Sequence, residues 1–280
     1  MCPVAVVTDS TATLPPELAQ QHNVHVAPLH IIWDRVKYRD VIDIQPKEFY
    51  QRLRKSATLP TTSGAVQAEF LTIFEGLRGE VDSIMTIVVS SELSAAYSAA
   101  VSAREMVPEI PVEVIDSRIS TMAMGFGVIA AAKAASAGGS MEQVAKAARD
   151  IFTRVHLFFV LDTLDYLRRG GRVNLPAAVI ANLLQVKPIL TLQDGKAVPA
   201  ARPRTRAKAL ETLLSLMKER VTDTPLHATV MHGDDPDGAE YLKQDVASRF
   251  HCDELLVTAF TPVMGAHTGP GLLGIAFYNE

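Results

Sequence analysis

Cysteine, tryptophan and net charge are all scarce in this chain. Its 280 residues include two cysteines and one tryptophan. Cys2 and Cys252 cannot form a disulfide framework and show no metal-ligand spacing, so free thiols in a reducing compartment are expected. The formal net charge is -4, which gives no global support to a nucleic-acid-binding surface. The longest unbroken run of apolar residues and glycine is 122–132, well short of a bilayer span. Stable membrane insertion is therefore not expected. The opening Met1-Cys2-Pro3-Val4 has no basic n-region and no secretory apolar core, and a cytoplasmic location is expected.

What is present is core-forming material. Hydrophobic residues make up 48% of the chain, enough for one or two cores at this length. The first half alternates strand-like and helix-like segments. Strands are expected at 4–7, 25–33, 83–90 and 111–117, and helices at 47–55, 65–74, 94–106, 119–137 and 141–152. Continuous Val/Ile runs separated by helices predict an α/β domain, a three-layer body with a parallel sheet covered on both faces. Gly138-Gly139 ends one helix and Ser140 caps the next. After Thr153 the pattern changes. Strands at 156–161, 187–193, 196–201, 227–232, 255–260 and 272–278 alternate with helices at 164–169, 204–220 and 236–250, and Asp194-Gly195 reads as a hairpin turn. This predicts an α+β domain with a mixed sheet. Two domains follow, 1–153 (Rossmann-like α/β) and 154–280.

In open α/β sheets, ligands bind beyond the carboxyl ends of the strands. Three expected strands end in Asp9-Ser10, Ser90-Ser91 and Asp116-Ser117. Each is individually an ordinary helix cap; together at one sheet edge they suggest a polar pocket. Ser90-Ser91-Glu92-Leu93-Ser94 delivers hydroxyls to a helix start, where backbone N–H groups attract an anion. Neutral donors there suit a single carboxylate. Thr61-Thr62-Ser63 is a hydroxyl-rich loop, and 265–271 surrounds His267 and Thr268 with three glycines and a proline. Arg168, Arg169 and Arg172 flank Gly170-Gly171, either as cations at a helix C-terminus or as a phosphate-binding corner. Arg202, Arg204, Arg206 and Lys208 open a helix, where cations oppose the dipole unless an anion or an acidic partner attends them. His232-Gly233-Asp234-Asp235 lacks further ligands at fixed spacing, so a metal is rejected and an aspartate cap for the helix after Pro236 is expected.

Along essentially its whole length the chain resembles the DegV family of bacterial fatty-acid-binding proteins. The resemblance is carried in order by VVTDSTATLP, PTTSG with QAEF, SSELSAAYSAA, VIDSRISTMAMGFG, LDTLDYLRRGGRVN, KPIL...DGK...ARPRTRAKAL and GAHTGPGLLGIAF. It implies two α/β domains with a long-chain fatty acid in an apolar tunnel between them. Thr62, Ser94 and His267 are implied as the carboxylate-binding set, with Ser63, Ser91 and Thr268 as neighbouring candidates. Arg172, Arg204 and Arg206 would face a phosphate or a fatty acid kinase that phosphorylates the presented carboxylate. No cofactor and no catalysis are implied. Two departures adjoin the proposed anchor: Ala95-Ala96 stands where the family has a Gly-Thr pair, and Gly64-Ala65 where it has Gln-Pro. The alternatives are a Ser-His esterase or hydrolase built on Ser94 and His267 with Asp9 or Asp116, and a phosphotransfer enzyme using the arginine corner. Against them, no G-x-S-x-G elbow and no P-loop occur.

Overall fold

In the computed structural model, residues 4–63, 66–172 and 186–280 are described. Cys2, Gly64 and Ala65 lie outside them. Contacts divide the chain into two compact units, Met1–Ile44 with Pro60–Thr153 and Gln45–Leu59 with Arg154–Glu280.

The first unit is built on a four-stranded parallel sheet in the order β2-β1-β6-β7. Its strands are β1 (Val4–Asp9), β2 (Val24–Ala27), β6 (Ser83–Val88) and β7 (Val112–Asp116). β1 and β6 are buried almost throughout, as continuous apolar runs in a parallel sheet require. Helices α1 (Pro16–Gln21), α3 (Gln67–Leu77), α4 (Ala96–Arg104), α5 (Thr121–Ser136) and α6 (Met141–Phe152) accompany it. In α5 nearly every side chain from Thr121 to Ala135 is buried. Small residues allow this: a Cβ at Gly127 would lie 2.3 Å from Phe152 of α6. Ser140 and Gln143 form a reciprocal capping box that starts α6.

The single strand expected at 25–33 is two strands. Pro28 lacks an N–H and interrupts the ladder. β2 stays in the parallel sheet, while β3 (His30–Trp33) joins β4 (Val36–Arg39) and β5 (Thr61–Ser63) in a separate antiparallel sheet of order β4-β3-β5. The β3–β4 turn uses Asp34 and Arg35, both at positive φ (50° and 67°). Without glycine there, the hairpin gives no strong turn signal in the sequence. The hydroxyl-rich stretch read as a loop is β5.

The second unit contains α2 (Pro46–Lys55), although it lies early in the chain. Its six-stranded sheet has the order β10-β9-β8-β13-β11-β12. The strands are β8 (His156–Val160), β9 (Ile189–Gln193), β10 (Lys196–Ala201), β11 (Leu226–His232), β12 (Cys252–Ala259) and β13 (Leu273–Asn279). Only β11 and β12 run parallel, so the sheet is mixed. Asp194 and Gly195 (φ 50° and 81°) form the expected tight turn between β9 and β10. The remaining helices are α7 (Asp165–Gly170), α8 (Arg206–Lys218), α9 (Pro236–Arg249) and α10 (Pro262–Thr268). Ala209, Leu213 and Met217 of α8 and Leu242 and Val246 of α9 pack into one core with Val230, Ile275 and Phe277 of the sheet. Among the described residues, no helix is long and apolar enough to cross a membrane.

Candidate functional site

At the carboxyl edge of the parallel sheet, the strand-end carboxylates are occupied by their own unit. Asp9 is fully buried. It accepts hydrogen bonds from the Thr11 N–H (2.9 Å), the Thr11 hydroxyl (2.5 Å) and the Val89 N–H (2.8 Å), tying the end of β1 to the end of β6. Burial pushes its pKa up, and these three donors oppose that. The Ser10 hydroxyl donates to buried Asp40 (2.6 Å) and accepts from the Leu29 N–H (3.1 Å). The Ser91 hydroxyl donates to Asp116 (2.5 Å), whose other oxygen accepts from the N–H groups of Ser91 and Arg118. Asp9 and Asp116 are thus structural staples, and Ser91 already has an acceptor.

Ser94 differs. It lies half-buried just before α4, and its oxygen accepts from the Ala96 N–H (3.2 Å). An oxygen used as an acceptor leaves the hydroxyl proton to be donated. Among the described residues, no hydrogen bond given by that proton is found. The helix starts at Ala96, two residues later than expected, because this serine turn precedes it.

The register of the small sheet separates Thr62 from Ser63. Thr62 pairs with Ile31 and Ser63 with His30. Side chains alternate across a strand, so Thr62 shares a face with Ile31, which is fully buried, and Ser63 shares the other with His30. Adjacent hydroxyls on one strand therefore look in opposite directions, and Thr62 is the one beside apolar surface.

In the second unit, His267 sits on the last turn of α10, a short helix that the glycines of 265–271 had obscured. Burial, and then the nearby Arg172 cation, lower its pKa to about 4, so the imidazole is neutral at pH 7 and carries a single ring N–H. Its position is tightly shaped. A Cβ at Gly170 would lie 2.3 Å from His267 Nδ1, and a Cβ at Gly265 would lie 2.6 Å from the Tyr50 hydroxyl and 2.8 Å from Phe49. Phe49 and Tyr50 of α2 are buried side chains from early in the chain, and their sequence position gave no hint of this role. Thr268 is spoken for: its hydroxyl donates to the Met264 carbonyl (3.0 Å), one turn back in α10.

The basic clusters part ways. Arg206 does not wait for a visiting anion. Its guanidinium donates to Asp162 (3.0 Å), to the Gly271 carbonyl (2.6 Å) and to Asp235. Lys187 also binds Asp162 (3.1 Å), and Arg54 of α2 pairs with Asp234 (2.8 Å). Arg54, Asp162, Tyr166, Arg206, Asp234 and Pro270 line a cleft of about 510 Å³ whose charges compensate one another. Asp235 also caps α9 through the Gly238 N–H (3.1 Å), as the sequence suggested. Arg172 is half-buried and donates to the Gly170 carbonyl (2.7 Å), and burial lowers its pKa. Arg204 is exposed ahead of α8. Among the described residues, no group of three or more His, Cys, Asp or Glu side chains could hold a metal ion.

A hydrolase reading gains nothing from these contacts. The partners of Asp9 are Thr11 and Val89, and those of Asp116 are Ser91 and Arg118. No histidine is hydrogen-bonded to either carboxylate among the described residues.

Known proteins match the chain over nearly all of its length. A family model described as an uncharacterised protein of the DegV family matches residues 3–280. The crystal structure of DegV, a fatty acid binding protein from Bacillus subtilis, is similar at 35% identity and a TM-score of 0.93, covering 99% of each chain. A DegV family protein from Thermus thermophilus, described by its fatty acid binding, matches at 31% identity and a TM-score of 0.93, over 99% of this chain and 100% of that one. A stearic acid-binding protein from Eubacterium ventriosum matches at 25% identity and a TM-score of 0.87, over 99% and 98%. With this fold and this length of agreement, the chain belongs to the DegV family.

Proposed function

We propose that this chain is a carrier that binds one long-chain fatty acid, catalyses nothing by itself and presents the carboxylate to a fatty acid kinase. The observation that carries the binding role is the full-length likeness, at 35% identity, to a structure described as a fatty acid binding protein. The site chemistry supports it. In this reading the carboxylate is met by Thr62, Ser94 and His267. Two hydroxyls and a neutral imidazole donate hydrogen bonds without the desolvation cost of a buried cation. Each buried methylene contributes roughly 0.8 kcal/mol, so a tail of about 14 to 16 supplies on the order of 12 kcal/mol before the cost of immobilisation. The tail therefore provides affinity and the donors provide orientation. In this reading Arg172 and exposed Arg204 face an acyl phosphate or a kinase surface, whereas Arg206 is held by two aspartates of its own unit.

Mass spectrometry of lipid released from denatured protein tests the binding role. One fatty acid per chain is expected. Protein that carries none, and binds none when common fatty acids are added, sinks it. Presentation is tested separately by adding a fatty acid kinase and ATP to the loaded protein and looking for acyl phosphate.

A further inference from the structure

Outside the donor set lies a half-buried pair with no assigned role. His30 on β3 is 2% exposed, and its Nε2 lies 2.8 Å from a carboxylate oxygen of Glu69. Glu69 stands in the first turn of α3. The other ring nitrogen of His30, Nδ1, is buried with no hydrogen-bond partner among the described residues. The tautomer follows from these contacts. A carboxylate oxygen only accepts, so Nε2 carries the hydrogen given to Glu69 and Nδ1 faces the interior.

The effect of the pair is positional. His30 pairs with Ser63 across the β3–β5 ladder, and the neighbouring Ile31 pairs with Thr62. The pair therefore joins β3, which sets the register of β5, to the first turn of α3. We infer that His30 and Glu69 are positioning residues that hold Thr62 at the height and angle at which it meets a ligand carboxylate. This rests on the fatty-acid-binding reading.

The test compares a saturated long-chain fatty acid with the alcohol of the same length, which keeps the tail and lacks the carboxylate. His30→Phe fills the volume without the donor. Glu69→Ala removes the acceptor from a partly exposed position, and Glu69→Gln retains an oxygen for the Nε2–H. His30→Phe and Glu69→Ala are expected to weaken fatty acid binding about tenfold and leave alcohol binding within about twofold, with Glu69→Gln close to wild type. Thermal melts identify any variant that fails to fold, in which case Glu69→Ala against Glu69→Gln decides. Equal weakening of acid and alcohol, or no weakening of either, overturns the inference. Wild-type protein that binds neither compound overturns the fatty-acid-binding reading instead.

Discussion

Asp9 of the first unit and the cluster of Asp162, Asp234 and Asp235 in the second are satisfied by opposite means. In the first, Asp9 is fully buried and held by backbone N–H groups and one hydroxyl. In the second, Asp162, Asp234 and Asp235 remain partly exposed and are held by Arg54, Lys187 and Arg206. The first solution is short-ranged and geometric; the second is Coulombic, and salt weakens it. The difference decides how each responds to salt and to the loss of a partner.

The largest effect should come from breaking the geometric solution. Asp9→Ala leaves the Val89 and Thr11 N–H groups buried without acceptors, at a cost of about 3–4 kcal/mol. Chemical denaturation read by hydrogen exchange should place the loss in the first unit. Added salt should not change it. A loss that salt reduces would show that Asp9 acts as a charge and not as an acceptor.

His267 gives the next effect, and it is set by pH. The folded protein keeps this imidazole neutral down to about pH 4, while the unfolded chain takes up a proton near pH 6.5. The unfolded state therefore binds more protons between these values. Stability is full above about pH 6.5 and falls as pH drops toward 4, by about 3 kcal/mol at most. His267→Gln should flatten that slope in a pH series of denaturation curves. An unchanged slope would assign the acid loss to other groups. Bound carboxylate would favour the charged imidazole, so loaded protein should lose less stability over the same range.

Arg206→Met attacks the Coulombic solution. It leaves Asp162 with Lys187 and Asp235 with its α9 cap, and both are partly exposed, so a loss of about 1–2 kcal/mol is expected. Here salt should reduce the penalty. Equal penalties at low and high salt would erase the contrast between the units.

Much of this contrast was legible in the sequence, and the illegible part has physical causes. The parallel and mixed sheets followed from continuous apolar runs and their spacing, and the Ser140 and Asp235 caps from local rules. The β3–β5 sheet did not, because its strands are three or four residues long and its hairpin turn lacks glycine. α2 reads correctly as a helix, but no local pattern says that Phe49 and Tyr50 pack beside Gly265 more than 200 residues later. The arginines were visible, yet the sequence could not show that Arg206 meets Asp162, 44 positions away. Hydroxyl-rich strand ends suggested one polar pocket. Only the hydrogen bonds sort Ser94, with a proton to give, from Ser91 and Thr268, whose protons are already placed.

Gly170→Ala is a smaller, local change. The added Cβ would meet His267 Nδ1 at 2.3 Å, and the ring must turn away. Fatty acid affinity should fall about tenfold, roughly 1.4 kcal/mol, while thermal stability changes little. Equal affinity in this variant would remove His267 from the donor set.

The smallest expected effect is the most discriminating one inside the first unit. Ser91 and Ser94 are three residues apart, and both were candidates on sequence grounds. The Ser91 proton is given to Asp116 at an exposed site, so Ser91→Ala should cost under about 1 kcal/mol of stability and leave fatty acid affinity within about twofold. Ser94→Ala should weaken fatty acid binding about tenfold by removing a donor that nothing else occupies. Titration of each variant with one fatty acid settles the matter. If Ser91→Ala is the more damaging, the turn rearranges on binding, and the hydrogen bonds of the unliganded edge are not those that meet the ligand.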